Sequence, residues 1–321
     1  MRREGSPWTG LSAVFLKEFA DHLSSMRMRV LEWLMLIAGL GAVYIAVQDV
    51  KAMTQQDPFV FLRLFTYSPE SSIAPAFVAV IGFLVPLIAI GLGFDAVNSE
   101  FNRRTLSRVL SQPIYRDALL LGKFLAALAT IAVSLTAVWL LVLGAGLLVL
   151  GVPPGGEEVA RALSFLVVAI AYAGVWLAVA ILCSVVFRSA ATSVLCALGL
   201  WLFLTVLWQY LLTPIIRALV AFGWIQVVDM QSLLDLVQYQ ETLARLSPAT
   251  LFVEAMEGLL NPATRTLSQL YMASPKAVPG APLPFLQSLL LVWPQITGLV
   301  AAAIIVFALT YVLFQRQEIR A

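Results

Sequence analysis

Long apolar runs separated by short charged segments organise this chain. Six stretches are apolar over about 20 residues or more, the length a helix needs to cross a bilayer. They run from about Val30 to Gln48, Ile73 to Phe94, Ala118 to Leu150, Leu163 to Phe187, Ser193 to Leu212 and Leu289 to Phe314. The third is long enough to tilt or to project beyond the bilayer. A membrane barrel would instead show alternating segments of roughly ten residues. The predicted class is therefore all-α, a polytopic membrane protein of about six transmembrane helices in one domain, residues 1–321.

The segments between the runs carry their own patterns. From Trp8 to Arg29, Leu11, Phe15, Phe19 and Leu23 recur at helical spacing, with Lys17, Glu18, Asp21 and His22 between them. This predicts an interfacial helix within residues 1–29, before the first span. Between spans five and six lies a long segment, residues 213–288. Gln231 to Leu246 reads there as an amphipathic helix. Ser247-Pro248 then supplies an N-cap and a first-turn proline. Leu251, Phe252, Ala255, Met256, Leu259 and Leu260 make one apolar face, and Asn261-Pro262 stops the helix. Pro275, Pro279, Pro282 and Pro284 form a stiff return. A small helical cap is expected on that side. Between spans two and three, Asn102 to Ser111 predicts a short amphipathic helix. Leu106, Val109 and Leu110 lie on one side, Arg103, Arg104, Ser107 and Arg108 largely on the other, and Pro113 ends it.

Composition supports the membrane class. The chain is 61% hydrophobic and 12% charged, with a mean hydropathy of +0.92; a soluble domain carries about 25% charged residues. A net charge of +2 gives no reason to expect a nucleic-acid partner. The distribution of charge says more. One side would hold the N-terminus, the segment Asp95–Lys123, Arg188 and the C-terminus. It collects about 13 of the 20 Lys and Arg residues, which predicts that it is cytoplasmic. Both termini are then inside, as an even number of spans requires. Cys183 and Cys196 fall in apolar runs and read as small buried hydrophobes, not a disulfide pair. Nearly 30 residues, several charged, precede the first run, so no cleavable signal peptide is expected.

A search for chemistry returns little. The phosphate-cradling Gly-x-x-x-x-Gly-Lys-Ser/Thr pattern is not present: Gly122-Lys123 is followed by Phe124 and lacks the earlier glycine. No cofactor is expected in this chain, and no catalytic or metal-binding residue. His22 is the one histidine, which leaves no Ser-His or metal-binding cluster to assemble. Ion-coupled carriers place ionisable groups at the midplane, whereas Glu32, Asp95, Lys123, Arg161 and Arg188 read as span-end residues. The acidic pairs Glu157-Glu158 and Glu254…Glu257 read as solvated faces. Gly82, Pro86, Gly91 and Gly93 read as packing or kink sites.

The segment Asp95–Lys123 resembles the permease subunits of type-2 ABC transporters. Glu100, Thr105-Leu106, Val109-Leu110-Ser111-Gln112-Pro113, Arg116 and Leu121-Gly122-Lys123 follow that family's pattern. Phe15-Leu16-Lys17-Glu18-Phe19 is similar to its interfacial helix. Leu246-Ser247-Pro248 through Asn261-Pro262 resembles the outer helix of permeases related to the nitrous-oxide-reductase maturation and sodium-extrusion transporters. Arg104 departs from the pattern, standing where many members have Gly. The resemblance implies that residues 97–117 form a cytoplasmic coupling helix docking on a separate ATP-binding subunit. Glu100, Arg103, Arg104, Thr105, Leu106, Arg108, Pro113 and Arg116 would contact that ATPase or brace the helix. It further implies an ATP-driven exporter in the bacterial inner membrane, assembled from two permeases, identical or homologous, and two ATPases that hold ATP and Mg. Two other readings remain open. One is a mechanical subunit that moves an extracytoplasmic partner docked on residues 213–288; the other is a secondary carrier or channel.

Overall fold

The computed structural model describes residues 10–52, 59–65, 77–102, 115–151, 153–225, 229–265, 267 and 282–316. Every regular element among them is helical: α1 (Leu11–Ser24), α2 (Met26–Ala52), α3 (Val60–Arg63), α4 (Phe77–Gly93), α5 (Asn98–Asn102), α6 (Arg116–Leu150), α7 (Gly156–Val186), α8 (Ala190–Leu202), α9 (Trp208–Ala221), α10 (Met230–Ala244), α11 (Pro248–Leu260) and α12 (Phe285–Arg316). A π turn, Phe203–Leu207, joins α8 to α9 without a break.

Six helical stretches are long and apolar enough to cross a membrane: Met26–Gln48, Phe77–Asn102, Arg116–Val149, Gly156–Val186, Ala190–Ala221 and Phe285–Arg316. The protein is an all-α polytopic membrane protein, as its apolar runs predict. Some ends lie further out than hydropathy places them. The fourth span begins at Gly156, not Leu163, because its charged first turn is internally satisfied. Glu158 accepts hydrogen bonds from Gly155 N at 2.7 Å and from Phe61 N at 2.9 Å, while Glu157 pairs with Arg161 at 2.8 Å. The fifth span carries on through Pro214 to Ala221.

The fourth span, α7, is the most enclosed of the six. It packs against α4, α6, α8, α11 and α12, and Tyr172 and Trp176 near its centre are fully buried. Small residues set the approach of its neighbours, as helix packing within a membrane requires. A Cβ on Gly93 of α4 would lie 2.7 Å from the Ala180 Cβ of α7. One on Gly82 would lie 3.2 Å from the Phe252 ring of α11. The span glycines are packing contacts, as their sequence context suggests.

The segment after span five folds as a helical hairpin. Asp229 caps α10 by accepting from Ser232 N at 2.9 Å. α10 then returns antiparallel to α9, with the Trp208 indole donating to Leu243 O at 2.9 Å. α11 reverses again and runs beside α12: Leu251 lies near Gly298, and Val292 near Gly258. α11 is not a lid over the bundle. It wedges among α4, α7 and α12, burying Phe252, Ala255, Met256, Leu259 and Leu260.

At the other end of the bundle α1 lies against α6. The Trp8–Arg29 pattern predicts one helix, but the chain breaks at Ser25. Its hydroxyl donates to His22 O at 2.9 Å and accepts from Met28 N at 3.1 Å. Ser25 thus ends α1 and starts α2.

Candidate functional site

The end of the bundle that carries both termini gathers an ionic cluster. Lys123 sits on α6 among apolar residues and is 5% exposed. Its ammonium lies 2.7 Å from Glu100 Oε1 of α5 and 3.0 Å from Glu18 Oε1 of α1. An ammonium buried this far needs compensating charge, and two carboxylates from different elements supply it. The preceding residue makes the contact feasible. A Cβ on Gly122 would sit 2.7 Å from Val14 Cγ1, so only glycine lets α1 approach closely enough for Glu18 to reach. Burial pushes the Glu18 carboxyl up, but the Lys123 ammonium and then Lys17 outweigh it and hold it below the ordinary carboxylate value. Burial lowers His22, also on α1, and Lys123 lowers it further, against the raising effect of Glu18, Asp95 and Asp21.

Helix α5 is fixed from a second direction. The Ser184 hydroxyl of α7 accepts from Val97 N at 2.9 Å and from Asn98 N at 3.1 Å. The Asn102 amide donates to Arg188 O at 2.9 Å. The Arg188 guanidinium stands over the Phe101 ring, 5.8 Å from its centroid. Asp95 pairs with Arg27 of α2 at 2.7 Å. Where the chain resumes at Tyr115, the Gln315 amide of α12 donates to Asp117. The Arg116 guanidinium reaches Gln315 O at a long 3.4 Å. Both flanks of residues 103–114 are therefore anchored: the first to α1, α6, α7 and the α7–α8 turn, the second to the last turn of α12.

Of the predicted site residues, the structure places Glu100 in the Lys123 cluster and Arg116 at the start of α6. Arg103, Arg104, Thr105, Leu106, Arg108 and Pro113 lie outside the described residues. Sequence reasoning missed the pairing of Lys123 with Glu18 and Glu100, and the parts of Ser184, Asp117 and Gln315. A usable signal existed for Lys123 alone: a lysine between Leu121 and Phe124 in an apolar helix must find a carboxylate.

Other ionisable groups also depart from expectation. Glu158 and Glu254 are not solvated. Glu158 is buried against backbone donors, and Glu254 binds Arg245 at 2.9 Å and the Gln295 amide at 2.9 Å. Arg161 is fully buried. It donates to Leu259 O, Leu283 O and Ser288 Oγ as well as to Glu157. It thereby ties together the ends of α7, α11 and α12 that lie away from the Lys123 cluster. Glu32 lies within the helix of the first span and accepts from Ser134 Oγ of α6 at 3.0 Å. Cys183 and Cys196 are both free, with Cys196 exposed where burial was expected.

A six-span helical bundle with polar clusters at both ends of its spans defines the class: a multi-pass membrane protein. The model of the ABC-2 family transporter protein matches residues 12–319. The chain belongs to this family and is an ABC permease, the kind of membrane subunit that works with an ABC ATP-binding subunit. No curated protein matches it.

Proposed function

We propose that this permease is the membrane half of an ATP-driven exporter, with its terminal end in the cytoplasm of a bacterial inner membrane. Residues 97–117 receive the stroke of a separate ATP-binding subunit, which holds ATP and Mg. Arg103, Arg104, Thr105, Leu106, Arg108 and Pro113 form or brace the docking surface, and Glu100 and Arg116 tie it to the spans. Two permease chains and two ATPases make the working unit. The observation that carries this reading is the anchoring of both flanks. A push on residues 103–114 is passed through Glu100–Lys123–Glu18 to α1 and α6, through Ser184 to α7, and through Asp117–Gln315 to α12. Displacement in a packed, hydrogen-bonded assembly moves spans as bodies and does not dissipate in a loop.

Co-purification with its ATP-binding subunit in nanodiscs tests this directly. Arg104→Glu and Arg108→Glu should abolish assembly or lower ATPase activity at least about tenfold, since like-charge contact at a docking surface costs more than one kcal/mol. Wild-type assembly and turnover in both variants would defeat the docking assignment.

A second reading is favoured by one observation at the opposite end. Phe222, Trp224 and Met230 are strongly exposed at the α9–α10 connection, where an outer protein would dock. In that reading the chain relays motion to the partner and carries nothing through its spans. ATP-driven export from vesicles lacking any outer protein would exclude it.

A further inference from the structure

Most buried polar side chains in the spans are satisfied. Buried Thr130 and Thr310 and half-buried Thr136 and Ser164 each donate to the carbonyl four residues earlier, and Ser134 donates to Glu32. The indoles of Trp139 and Trp208 donate to Ala162 O and Leu243 O. Two acceptors, Asn98 Oδ1 and Gln295 Oε1, are unmet elsewhere among the described residues, but the unmet donors gather at one seam. The indole N–H of Trp201 and the hydroxyls of Thr205 and Ser247 are buried and find no hydrogen-bond partner among the described residues. Beside them, the Trp176 ring stands edge-on to Tyr172 at 6.5 Å, and its indole N–H is directed at the Tyr172 hydroxyl.

The elements around these groups meet: α7 packs on α4, α8 and α11, and α11 packs on the π turn. Cys183 of α7 touches Cys196 of α8, which fixes the register of that antiparallel pair. Counting back at 1.5 Å per residue, Trp201 and Thr205 bracket the height of Trp176. That height is about 15–18 Å from the Phe187–Ser189 turn, near the middle of a hydrocarbon core about 30 Å thick. Thr205 lies within the π turn. The wider backbone path there takes its hydroxyl off the carbonyl that every threonine named above reaches. π turns inside α-helices are frequent at functional sites. Trp201 packs on Phe83 of α4 with ring centroids 5.2 Å apart. Ser247 stands at the start of α11, which packs on the π turn, and it makes no side-chain cap. Each unmet donor in an apolar interior is costly, and three along one seam mark where the packing gives way.

We infer that the seam between α4, α7, the span-five π turn and the start of α11 opens to bind an uncharged, largely apolar molecule bearing carbonyl or ether acceptors. The donors are all neutral N–H and O–H groups, and the surrounding side chains (Phe83, Tyr172, Phe252) are aromatic. Arg245, two residues before Ser247, is neutralised by Glu254 at 2.9 Å, so acceptors in an apolar body fit and an ionised headgroup does not. This inference deepens the transport reading by naming the chemistry of the cargo, and rests on it.

Benzophenone is a suitable probe: its carbonyl accepts hydrogen bonds, its rings suit an aromatic seam, and light cross-links it where it sits. The full chain in lipid nanodiscs, without its ATPase, should be photolabelled saturably within residues 201–207. Thr205→Val, isosteric but without the donor, should lower labelling about three- to tenfold, the factor one hydrogen bond contributes. Thr205→Ser should restore it. Diphenylmethane, the same shape without the carbonyl, should compete weakly. Competition by dioctanoylglycerol would assign the natural ligand to membrane lipid, and its failure to compete would assign a non-lipid carbonyl compound. Wild-type labelling in both Thr205→Val and Trp201→Phe, or equal competition by diphenylmethane, overturns the inference. Because no ATPase is present, a failure here is distinct from a failure of coupling.

Discussion

At the scale of single residues, Gly122 and Lys123 act as a pair. Gly122→Ala adds one methyl against Val14, and overpacking of this kind costs about 1–3 kcal/mol. Hydrogen exchange in α1 should rise in that variant while the other spans keep their protection. Lys123→Met removes the cation between two carboxylates at 2.7 and 3.0 Å. Breaking such a buried pair costs about 3–5 kcal/mol, so a large fall in thermal stability is expected. Glu18→Gln in the same chain should recover part of it by removing one uncompensated charge. The cluster also sets a pH dependence. His22 lies below the ordinary imidazole value, so the folded state binds fewer protons than the unfolded one. Its contribution is present above about pH 6.5 and is lost as pH falls through its lower folded value. Glu18 behaves alike in the carboxylate range: its contribution is present above about pH 4.5 and lost beneath it as pH falls. Thermal melts of wild type and His22→Gln between pH 7.5 and 5 should diverge only in the lower half of that range. Parallel curves would remove His22 from the account.

At the scale of elements, α5 is the telling case. It is five residues long and too short to hold itself. Its start depends on the Ser184 hydroxyl, which accepts two backbone N–H groups. Ser184→Ala leaves both without that acceptor at a cost of about 1–3 kcal/mol, and should lower coupled ATPase activity more than it lowers assembly. The elements also show what sequence could and could not reveal. Spans mark themselves because about 20 apolar residues have no other stable place. α11 was readable from Ser247 to Asn261 because its proline, apolar face and stop are local. The start of α7 was not, because Glu158 and Arg161 are satisfied by Phe61, Leu259, Leu283 and Ser288, none of them near in sequence. The break at Ser25 was hidden because one apolar stripe runs through it. For the same reason the partners of Lys123 were out of reach: Glu18 becomes its neighbour only once Gly122 has let α1 pack.

At the scale of the whole molecule, the two ends of the bundle have different characters. The terminal end holds elements together by ion pairs and capped turns around residues 103–114. The opposite end does so by a wedged helix and the buried Arg161, and the unmet donors lie between the two. This division suits a machine driven at one end and loaded within its spans, with α7 in contact with both regions. In the proposed machine the driven end meets an ATP-binding subunit. The most direct measurement places a photo-crosslinking amino acid at Arg108, and separately at Tyr239 of α10, in the co-expressed complex. Position 108 should cross-link to the ATP-binding chain and position 239 should not. A cross-link from 239 with none from 108 would contradict the proposal.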